Sequence, residues 1–327
     1  GANLGCPLTF IGHGKLVSRP LQAYYDILDK QFVQYFNDNG NLPLTVNGHL
    51  MPGKFELPGD VSSQFVSGLL FALPLLKGDS EIIITSPLES ASYVDMTLNC
   101  LAKYGVKVEN VDGAHRHYLV PGKQRFKAQD SKVEGDWSQA AFWTVGGALG
   151  AGITASGVDF ASLQGDKAVV EIMQRMGADI AKTDDSVTVN SGATQATVID
   201  ASDCPDIIPV LTVLAAVSEG TTKIINAGRL RIKECDRLAA ITSELNKMGA
   251  AITEEAEGLT ISGKPEGLRG GVEADAWNDH RIAMSLAIAA QCCAEPIILT
   301  GAGSVSKSYP DFWDDYKSVG GKIEVLA

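Results

Sequence analysis

Four short polar segments decide how this chain is organised: Asp60-Val-Ser-Ser63, Asp136-Trp-Ser-Gln139, Asp203-Cys-Pro-Asp206 and Ala276-Trp-Asn-Asp279. Their last residues are separated by 76, 67 and 73 positions. An apolar run of helical length follows each segment, at 65–76, 140–150, 207–217 and 281–292. A turn of small residues and a β-rich run come next, at 81–85, 153–158, 222–225 and 296–300. This recurrence predicts a fold built from repeated units.

Each unit continues into a second helix that ends at a glycine. The apolar residues before these glycines are spaced by three and four, which is typical of a helix and its C-cap, and the stops are Gly105, Gly177, Gly249 and Gly320. Short alternating strands follow, at 106–111, 117–120 and 187–189. The predicted unit is therefore helix, strand, helix, strand, strand. It occurs four times, with the back half of a fifth at residues 7–47.

The length and polarity of the repeats predict the fold class. A mixed unit of about 70 residues is longer than the periods of 20 to 50 residues found in solenoids. The first helices are apolar on nearly every face, which predicts three parallel helices buried beneath a skin of sheet rather than a doubly wound sheet. We therefore expect an α/β (α+β) fold with two domains, 1–132 and 133–327, separated at the polar stretch 128–132.

The composition excludes several classes of protein. A chain that is 45% hydrophobic has a core to bury, and 27 basic against 39 acidic residues argue against a general nucleic-acid binder. No apolar run reaches the roughly 18 residues that span a membrane, and no signal peptide is visible, so we expect a cytoplasmic protein. The six cysteines form no Cys-x-x-Cys pair, which favours free thiols over zinc ligands or disulfides.

The polar segments stand where helices begin. Ser, Asp and Asn are preferred N-cap residues, so capping alone explains any one segment. Several converging helix N-termini would also present partial positive charge and N–H groups to one region, where an acidic protein could hold a phosphate or carboxylate. Ser62-Ser63-Gln64 offers three donors in sequence and is the strongest such start.

Charged residues recur at defined positions of the third and fourth units. Arg229–Arg237 occupies a connection of the third unit, Asn278–Arg281 occupies the helix start of the fourth, and Lys307 lies in the corresponding connection of the fourth. Alternating charges usually form a solvated, self-paired surface, yet loops on a rigid scaffold are where function concentrates. Arg281 at a helix N-terminus opposes the helix dipole, and an anion between them would account for its position. The chain has no phosphate loop, dinucleotide fingerprint or zinc-ligand spacing, which leaves chemistry on an anionic substrate without metal or cofactor.

Three motifs resemble those of a known family, the 5-enolpyruvylshikimate-3-phosphate (EPSP) synthases: Asp60-Val-Ser-Ser-Gln64, Arg231-Ile-Lys-Glu-Cys-Asp-Arg237 and Asn278-Asp-His-Arg-Ile-Ala-Met284. The resemblance extends from about Gly12 to the C-terminus. It implies the enolpyruvyl transferase fold, in which two domains of βαβαββ units form inside-out α/β barrels. In aromatic amino acid biosynthesis, members transfer the enolpyruvyl group of phosphoenolpyruvate to the 5-hydroxyl of shikimate 3-phosphate through a tetrahedral ketal, releasing phosphate.

The resemblance also implies a role for each matching residue. Shikimate 3-phosphate would be bound by Ser62, Ser63, Gln64, Ser90, Tyr93, Asp206 and Lys233. Phosphoenolpyruvate would be bound by Lys15, Gln64, Arg237, His280, Arg281 and Lys307. The catalytic residues would be Asp206, which takes the 5-hydroxyl proton, Glu234, which protonates the methylene carbon, and Lys233. Both an acid and a base are required, because an enol pyruvate becomes an electrophile only when its methylene is protonated.

Departures from the family pattern leave alternatives open. Lys15 stands where some members have Arg, and Cys235 stands where Ser or Thr is commoner. The family's N-terminal Lys-Ser-x-x-x-Arg segment has no counterpart in this sequence. By repeat count, the chain resembles an N-terminally truncated member of the family, and we expect it to be inactive alone. We expect it to occur as a monomer or together with a separate N-terminal piece. The alternatives are a UDP-N-acetylglucosamine enolpyruvyl transferase and a fragment that binds anions without turnover. Beyond the two small substrates, no nucleic acid or membrane partner is expected.

Overall fold

The computed structural model describes residues 6–326, and the chain divides into two compact units. The first unit runs to Lys132 and includes Leu163–Gly165, whereas the second comprises Val133–Ser162 and the residues from Asp166 onward. Each unit has its own buried apolar cluster. No helix among residues 6–326 is long and apolar enough to cross a membrane.

The described residues of the first unit form two sheets and three α-helices. The elements of its first half are β1 Leu8–Phe10, α1 Gln22–Lys30, β2 Gln34–Asp38 and β3 Asn41–Asn47. The elements of its second half are β4 Lys54–Leu57, α2 Ser63–Ala72, β5 Ser80–Ile84, α3 Ala91–Lys103, β6 Glu109–Asn110 and β7 His117–Val120. The strands pair in the orders β1-β3-β2 and β4-β5-β7-β6.

The second unit contains three successive repeats. The first comprises α4 Trp137–Leu149, β8 Ile153–Ser156, α5 Ala168–Arg175, β9 Asp179–Lys182 and β10 Ser186–Asn190. The second comprises β11 Val198–Asp200, α6 Ile208–Ala216, β12 Thr221–Ile225, α7 Arg237–Lys247, β13 Ala251–Glu255 and β14 Gly258–Ser262. The third comprises β15 Leu268–Gly270, β16 Glu273–Asp275, α8 His280–Ala289, β17 Cys293–Glu295, β18 Ile298–Thr300 and α9 Phe312–Ser318.

The repeat predicted from the sequence is confirmed at three starting points, α2, α4 and α6, from each of which helix, strand, helix, strand, strand follow. It is wrong for the repeat that begins at α8, because residues 321–326 form no strand after α9. The predicted glycine stops follow α3, α5, α7 and α9, and their φ angles lie between +78° and +102°. Glycine adopts this left-handed conformation without a steric penalty, so it ends each helix cleanly.

The first helix of each repeat in the second unit is buried on almost every face. All residues of α6 and α8 are buried, as are most residues of α4, and the three helices pack against one another. A helix that is apolar all round is stable only inside a core, which explains the uniform hydrophobicity of these runs. The predicted group of buried central helices is therefore confirmed for this unit.

Parallel strand pairs place the starts of successive helices at one sheet edge. β4 pairs with β5, β11 with β12, and β16 with β18, all in parallel. The chain leaves these strands toward α2 and α3, toward α6 and α7, and toward α8 and the connection that carries Lys307. Because the carboxyl ends of parallel strands share an edge, the helix starts of each pair lie on the same side of the sheet.

Candidate active site

The second unit brings together five of the residues predicted from the sequence. Asp206 lies in the 3-10 turn that leads into α6, and Lys233 and Glu234 lie in the connection between β12 and α7. Arg237 is the first residue of α7, and Arg281 is the second residue of α8. The three helix starts thus deliver two carboxylates and three cations to one cluster.

Asp206 is the centre of this cluster. Its Oδ1 lies 2.8 Å from Nη1 of Arg237 and 3.6 Å from Nζ of Lys233, and its Oδ2 lies 3.0 Å from Nη2 of Arg281. Burial alone would raise the pKa of Asp206, but the charges of Arg281, Lys233 and Arg237 outweigh it and hold the pKa well below the ordinary value. Asp206 is therefore ionised in the ligand-free protein.

Arg237 is surrounded by carboxylates. The side chain is 1% exposed, and Nε lies 2.8 Å from Oδ2 of Asp279, which is fully buried. Nη1 bonds to Asp206, and Nη2 bonds to Glu234 Oε2 at 2.7 Å. Burial would lower the pKa of Arg237, but Asp279, Asp206 and Glu234 raise it above its ordinary value. The guanidinium of Arg237 is held in one orientation by three ion pairs.

The predicted acid and base are consequently neighbours. Asp206 and Glu234 accept hydrogen bonds from the two terminal nitrogens of the same guanidinium. A carboxylate surrounded by cations is a weak base, and anions that bind the same cations reduce this effect. The arrangement suits general acid–base chemistry that begins only when anionic substrates are bound.

Arg281 contributes buried hydrogen-bond donors that no side chain or backbone group uses among residues 6–326. Its Nη2 donates to Asp206 Oδ2 at 3.0 Å and to Ser138 Oγ at 3.1 Å. Among residues 6–326, its Nε and Nη1 are buried without a hydrogen-bond partner. Leaving a buried charged donor unpaired is costly, so these N–H groups indicate the position of an anion.

His280 adds no positive charge to the cluster at neutral pH. The side chain is buried, and its Nδ1 has no hydrogen-bond partner within the described part of the chain. Burial and the nearby charge of Arg281 lower the pKa of His280 to about 4. The imidazole is therefore neutral at neutral pH in the ligand-free protein.

Lys307 is held by the turn that precedes α8. Its Nζ donates to the backbone oxygen of Asn278 and, at 2.8 Å, to Asn278 Oδ1. Trp277 and Asn278 both have φ of +51°, which is unusual for residues with a Cβ. Buried Glu244 of α7 supports this turn, because its carboxylate accepts hydrogen bonds from Trp277 Nε1 at 2.9 Å and from the backbone of Asp275 at 3.0 Å.

The predicted residues of the first unit lie at the starts of α2 and α3. Ser62 is the N-cap of α2, and its Oγ accepts a hydrogen bond from the backbone of Gln64, which confirms the predicted capping. Ser63 is buried at the first position of the helix. Ser90 precedes α3 with φ of +52° and is buried, and Tyr93 lies in the first turn of α3.

Gly59 brings the two helix starts of the first unit close together. Its N–H donates to Ser86 Oγ at 2.9 Å, and its carbonyl accepts from the backbone of Glu89 at 3.2 Å. A Cβ at this position would lie 2.8 Å from the backbone of Pro87 and Leu88, so only glycine permits the approach. Lys15 lies apart from these contacts in an exposed 3-10 turn, Gly14–Ser18, of the same unit.

Three supporting residues were not identified from the sequence. Asp279 is part of the motif Asn278–Met284, and Ser138 belongs to the polar segment Asp136–Gln139. Both positions were therefore noted, but only as part of a family motif or as a helix cap, and no supporting role was predicted for them. Glu244 carried none, because a single acid on an amphipathic helix resembles any exposed residue. Among residues 6–326 there is no group of three or more His, Cys, Asp or Glu that could hold a metal ion.

Repeated α/β units that carry a buried cluster of carboxylates and cations are typical of an enzyme that acts on anionic substrates. The family model for EPSP synthase (3-phosphoshikimate 1-carboxyvinyltransferase) matches residues 2–316. The chain belongs to the EPSP synthase family and is a transferase. The prediction made from the motifs is thereby confirmed.

Individual relatives agree with this assignment. The chain is 54% identical to the 3-phosphoshikimate 1-carboxyvinyltransferase of Clostridium kluyveri over 99% of its own length and 75% of that protein. It is 52% identical to the enzyme of the same name from Clostridium novyi over 97% of its length and 72% of that protein. The chain thus spans about three quarters of these relatives.

Solved structures confirm the predicted fold class. EPSP synthase from Acinetobacter baumannii covers the whole chain with a TM-score of 0.82 and 26% identity, and 76% of that protein is matched. The enolpyruvyl transferase NikO from Streptomyces tendae covers 94% of the chain and 73% of its own length, with a TM-score of 0.74 and 19% identity, and this likeness concerns the fold alone.

Proposed function

We propose that this chain transfers the enolpyruvyl group of phosphoenolpyruvate to the 5-hydroxyl of shikimate 3-phosphate by means of the cluster around Arg237. The observation that carries the proposal is the pairing of Asp206 and Glu234 with one buried guanidinium, beside the unpaired N–H groups of Arg281. Family membership supports the reaction, and this geometry supports the residue roles.

The addition step needs one base and one acid. The 5-hydroxyl oxygen bonds to C2 of phosphoenolpyruvate as its proton passes to Asp206. Glu234, which is protonated once the bound anions weaken its pairing with Arg237, gives its proton to the methylene carbon. The product is a tetrahedral ketal that carries a phosphate group and a methyl group on C2. In the elimination, the phosphate leaves C2 of the ketal and takes the proton held by Asp206, the methyl group returns a proton to Glu234, and the enolpyruvyl ether remains.

The cations bind the anionic groups of phosphoenolpyruvate. Arg281 offers its Nε and Nη1 donors to a carboxylate or phosphate, and bidentate pairing suits the planar guanidinium. The ammonium of Lys307 leaves its hydrogen bonds to Asn278 and pairs with the anion. Arg237 keeps the neighbouring carboxylates in place. His280 gains a proton beside the new negative charge. Family resemblance alone assigns Lys15 and Gln64 of the first unit to phosphoenolpyruvate.

The remaining residues bind shikimate 3-phosphate. In the first unit, the hydroxyls and N–H groups at the two helix starts that are joined through Gly59 receive the phosphate and the ring. These residues are Ser62, Ser63, Gln64, Ser90 and Tyr93. Family resemblance alone assigns Lys233 and Asp206 of the second unit to the ring hydroxyls. Burial lowers the pKa of Lys233, but Asp206 favours its charged form, and a hydroxyl acceptor is compatible with either state.

The proposal is tested by phosphate release with both substrates present. Asp206→Asn removes the base, and general acid–base groups contribute about 10²–10⁴-fold, so turnover should fall by that factor. Asp200→Asn is the matched control, because Asp200 is an exposed carboxylate of the same repeat that bonds to Ser202 and Asn226 and should leave turnover within about twofold. A fall of less than about fivefold for Asp206→Asn contradicts the assignment. Absence of turnover in the unmodified chain, with phosphoenolpyruvate still bound, would favour the non-catalytic alternative.

A further inference from the structure

The hydroxyl of Ser138, in the first turn of α4, has a defined hydrogen-bond donor direction and a defined acceptor role. Ser138 is buried, and its Oγ lies 2.6 Å from Oδ1 of Asp136, the N-cap of α4. The same carboxylate oxygen accepts the backbone N–H of Ser138 at 2.8 Å. An ionised carboxylate only accepts hydrogen bonds, so the single hydroxyl hydrogen of Ser138 points to Asp136. The lone pairs of Ser138 Oγ are left for another donor.

That donor is Arg281. Its Nη2 lies 3.1 Å from Ser138 Oγ and 3.0 Å from Asp206 Oδ2. Nη2 carries two hydrogens, and these two acceptors use both of them. Two in-plane bonds fix the plane of the guanidinium, whereas one bond would allow it to pivot. The direction of the remaining Nε and Nη1 donors, which are buried and unpaired, is therefore set by Ser138 together with Asp206.

We propose that Ser138 is a positioning residue that fixes the guanidinium of Arg281 for an anionic substrate. The identification of that anion as phosphoenolpyruvate rests on the proposed function, but the coupling between the two side chains does not. Ser138 contacts no substrate in this proposal and acts only through Arg281. Its role is preorganisation, since a donor pair that is already aligned loses less entropy when the anion binds.

Three variants separate this role from simple packing. Ser138→Ala deletes the acceptor, and Ser138→Thr restores a hydroxyl at the same position. Ser285→Ala is the matched control, because Ser285 is a fully buried serine one turn after Arg281 on α8 whose Oγ has no hydrogen-bond partner in residues 6–326. All three changes are small, so folded protein is expected, and circular dichroism verifies it.

The decisive measurement is the Nε–Hε signal of Arg281 in protein labelled with ¹⁵N-arginine, identified by its absence in Arg281→Lys. We expect this signal to shift or broaden in Ser138→Ala, to return in Ser138→Thr, and to stay unchanged in Ser285→Ala. An unchanged signal in Ser138→Ala overturns the proposal, and so does an equal change in Ser285→Ala. This readout does not require turnover.

Kinetics add a second and independent criterion. Hydrogen bonds to charged groups contribute about tenfold or more in affinity, so the KM for phosphoenolpyruvate should rise about tenfold in Ser138→Ala. The KM for shikimate 3-phosphate should stay within about twofold. Equal increases in both KM values would overturn the proposal, because a general structural defect acts on both substrates. Failure of the unmodified chain to release phosphate bears on the proposed function alone, and the arginine signal then decides this inference.

Discussion

Arg237 and Asp279 form a buried ion pair in which Nε lies 2.8 Å from Oδ2 and neither side chain is more than 1% exposed. The pair joins the first residue of α7 to the N-cap of α8, because Asp279 also accepts the backbone N–H of Arg281 at 2.8 Å. One carboxylate therefore fixes the direction of Arg237 and the start of the helix that carries Arg281. The cluster around Arg237 depends on this link between two repeats.

Asp279→Asn should cost about 3–5 kcal/mol of unfolding free energy, because it leaves a buried guanidinium short of a counter-ion while keeping a good N-cap residue. The matched control is Asp236→Asn, at the N-cap of α7, where the Arg231 pair is partly exposed and a loss under about 1 kcal/mol is expected. Urea denaturation measures both. Equal losses of unfolding free energy in the two variants would contradict the prediction, because the buried Arg237–Asp279 pair would then stabilise the fold no more than the partly exposed Arg231–Asp236 pair.

The same variant should show a defined pH dependence. Burial would raise the pKa of Asp279, but Arg237 outweighs it and lowers the pKa below 3.8. A carboxyl with a lowered pKa stabilises the fold above its unfolded pKa, and this contribution is lost as the pH falls through the folded value. The difference in unfolding free energy between the unmodified chain and Asp279→Asn should therefore become smaller below about pH 4. A difference that is constant from pH 7 to pH 3 contradicts it.

His280 should titrate far below an ordinary histidine. Its pKa is lowered from 6.5 to about 4 by burial and by Arg281, so the unfolded chain binds this proton more readily between these values. Stability should rise with pH over that range, by up to about 1.4 kcal/mol per pH unit from this group, and His280→Gln should lack this part of the slope. The Hε1 signal of His280 in proton NMR provides the direct measurement. A midpoint near 6.5 in ligand-free protein would contradict the prediction.

Sequence reasoning predicted the features that arise from local chemistry. The glycine stops, such as Gly249 after α7, follow from the left-handed conformation that ends a helix. The N-cap role of Ser62 follows from its residue type, and the burial of α6 follows from its uniform hydrophobicity. Each of these is decided within one or two turns of chain. The periodic pattern therefore carried enough information for the fold class and for the three repeats that begin at α2, α4 and α6.

The pairing of side chains across repeats could not be predicted in this way. Glu244 and Trp277 are 33 residues apart, and Ser138 and Arg281 are 143 residues apart, so their contacts depend on how the helices pack. Arg237 was expected to face phosphoenolpyruvate, and in the ligand-free chain it faces Asp206, Glu234 and Asp279 instead. The family motif identified the residue but not its resting partners.

Glu244→Ala should destabilise the second unit by about 2 kcal/mol, because it leaves the indole N–H of Trp277 and the backbone N–H of Asp275 without their carboxylate acceptor. It should also raise the KM for phosphoenolpyruvate, since the Trp277–Asn278 turn positions Lys307 and α8. Lys247→Ala is the control, because the half-exposed ammonium of Lys247 pairs with the same carboxylate. Its removal should lower the unfolding free energy by less than about 1 kcal/mol. Denaturation and kinetics together test the prediction, which an unchanged stability of Glu244→Ala would contradict.

Gly59→Ala should damage the proposed phosphate site of the first unit. The added Cβ would lie 2.8 Å from the backbone of Pro87 and Leu88 and 2.7 Å from a methyl group of Ile84, so the loop before Ser90 must move. Overpacking of this kind costs about 1–3 kcal/mol. The KM for shikimate 3-phosphate should increase at least severalfold.

The control for this change is Gly192→Ala in the second unit, because a Cβ there meets nothing within 4 Å and no unusual φ is required. Gly192→Ala should be neutral or stabilising by up to about 1 kcal/mol, since it restricts only the unfolded chain. Hydrogen exchange read by mass spectrometry locates the effect. Faster exchange in Gly59→Ala should be confined to peptides of the first unit, around residues 80–100. If protection there is unchanged and the KM for shikimate 3-phosphate stays within twofold, the close approach at Gly59 does not build the site.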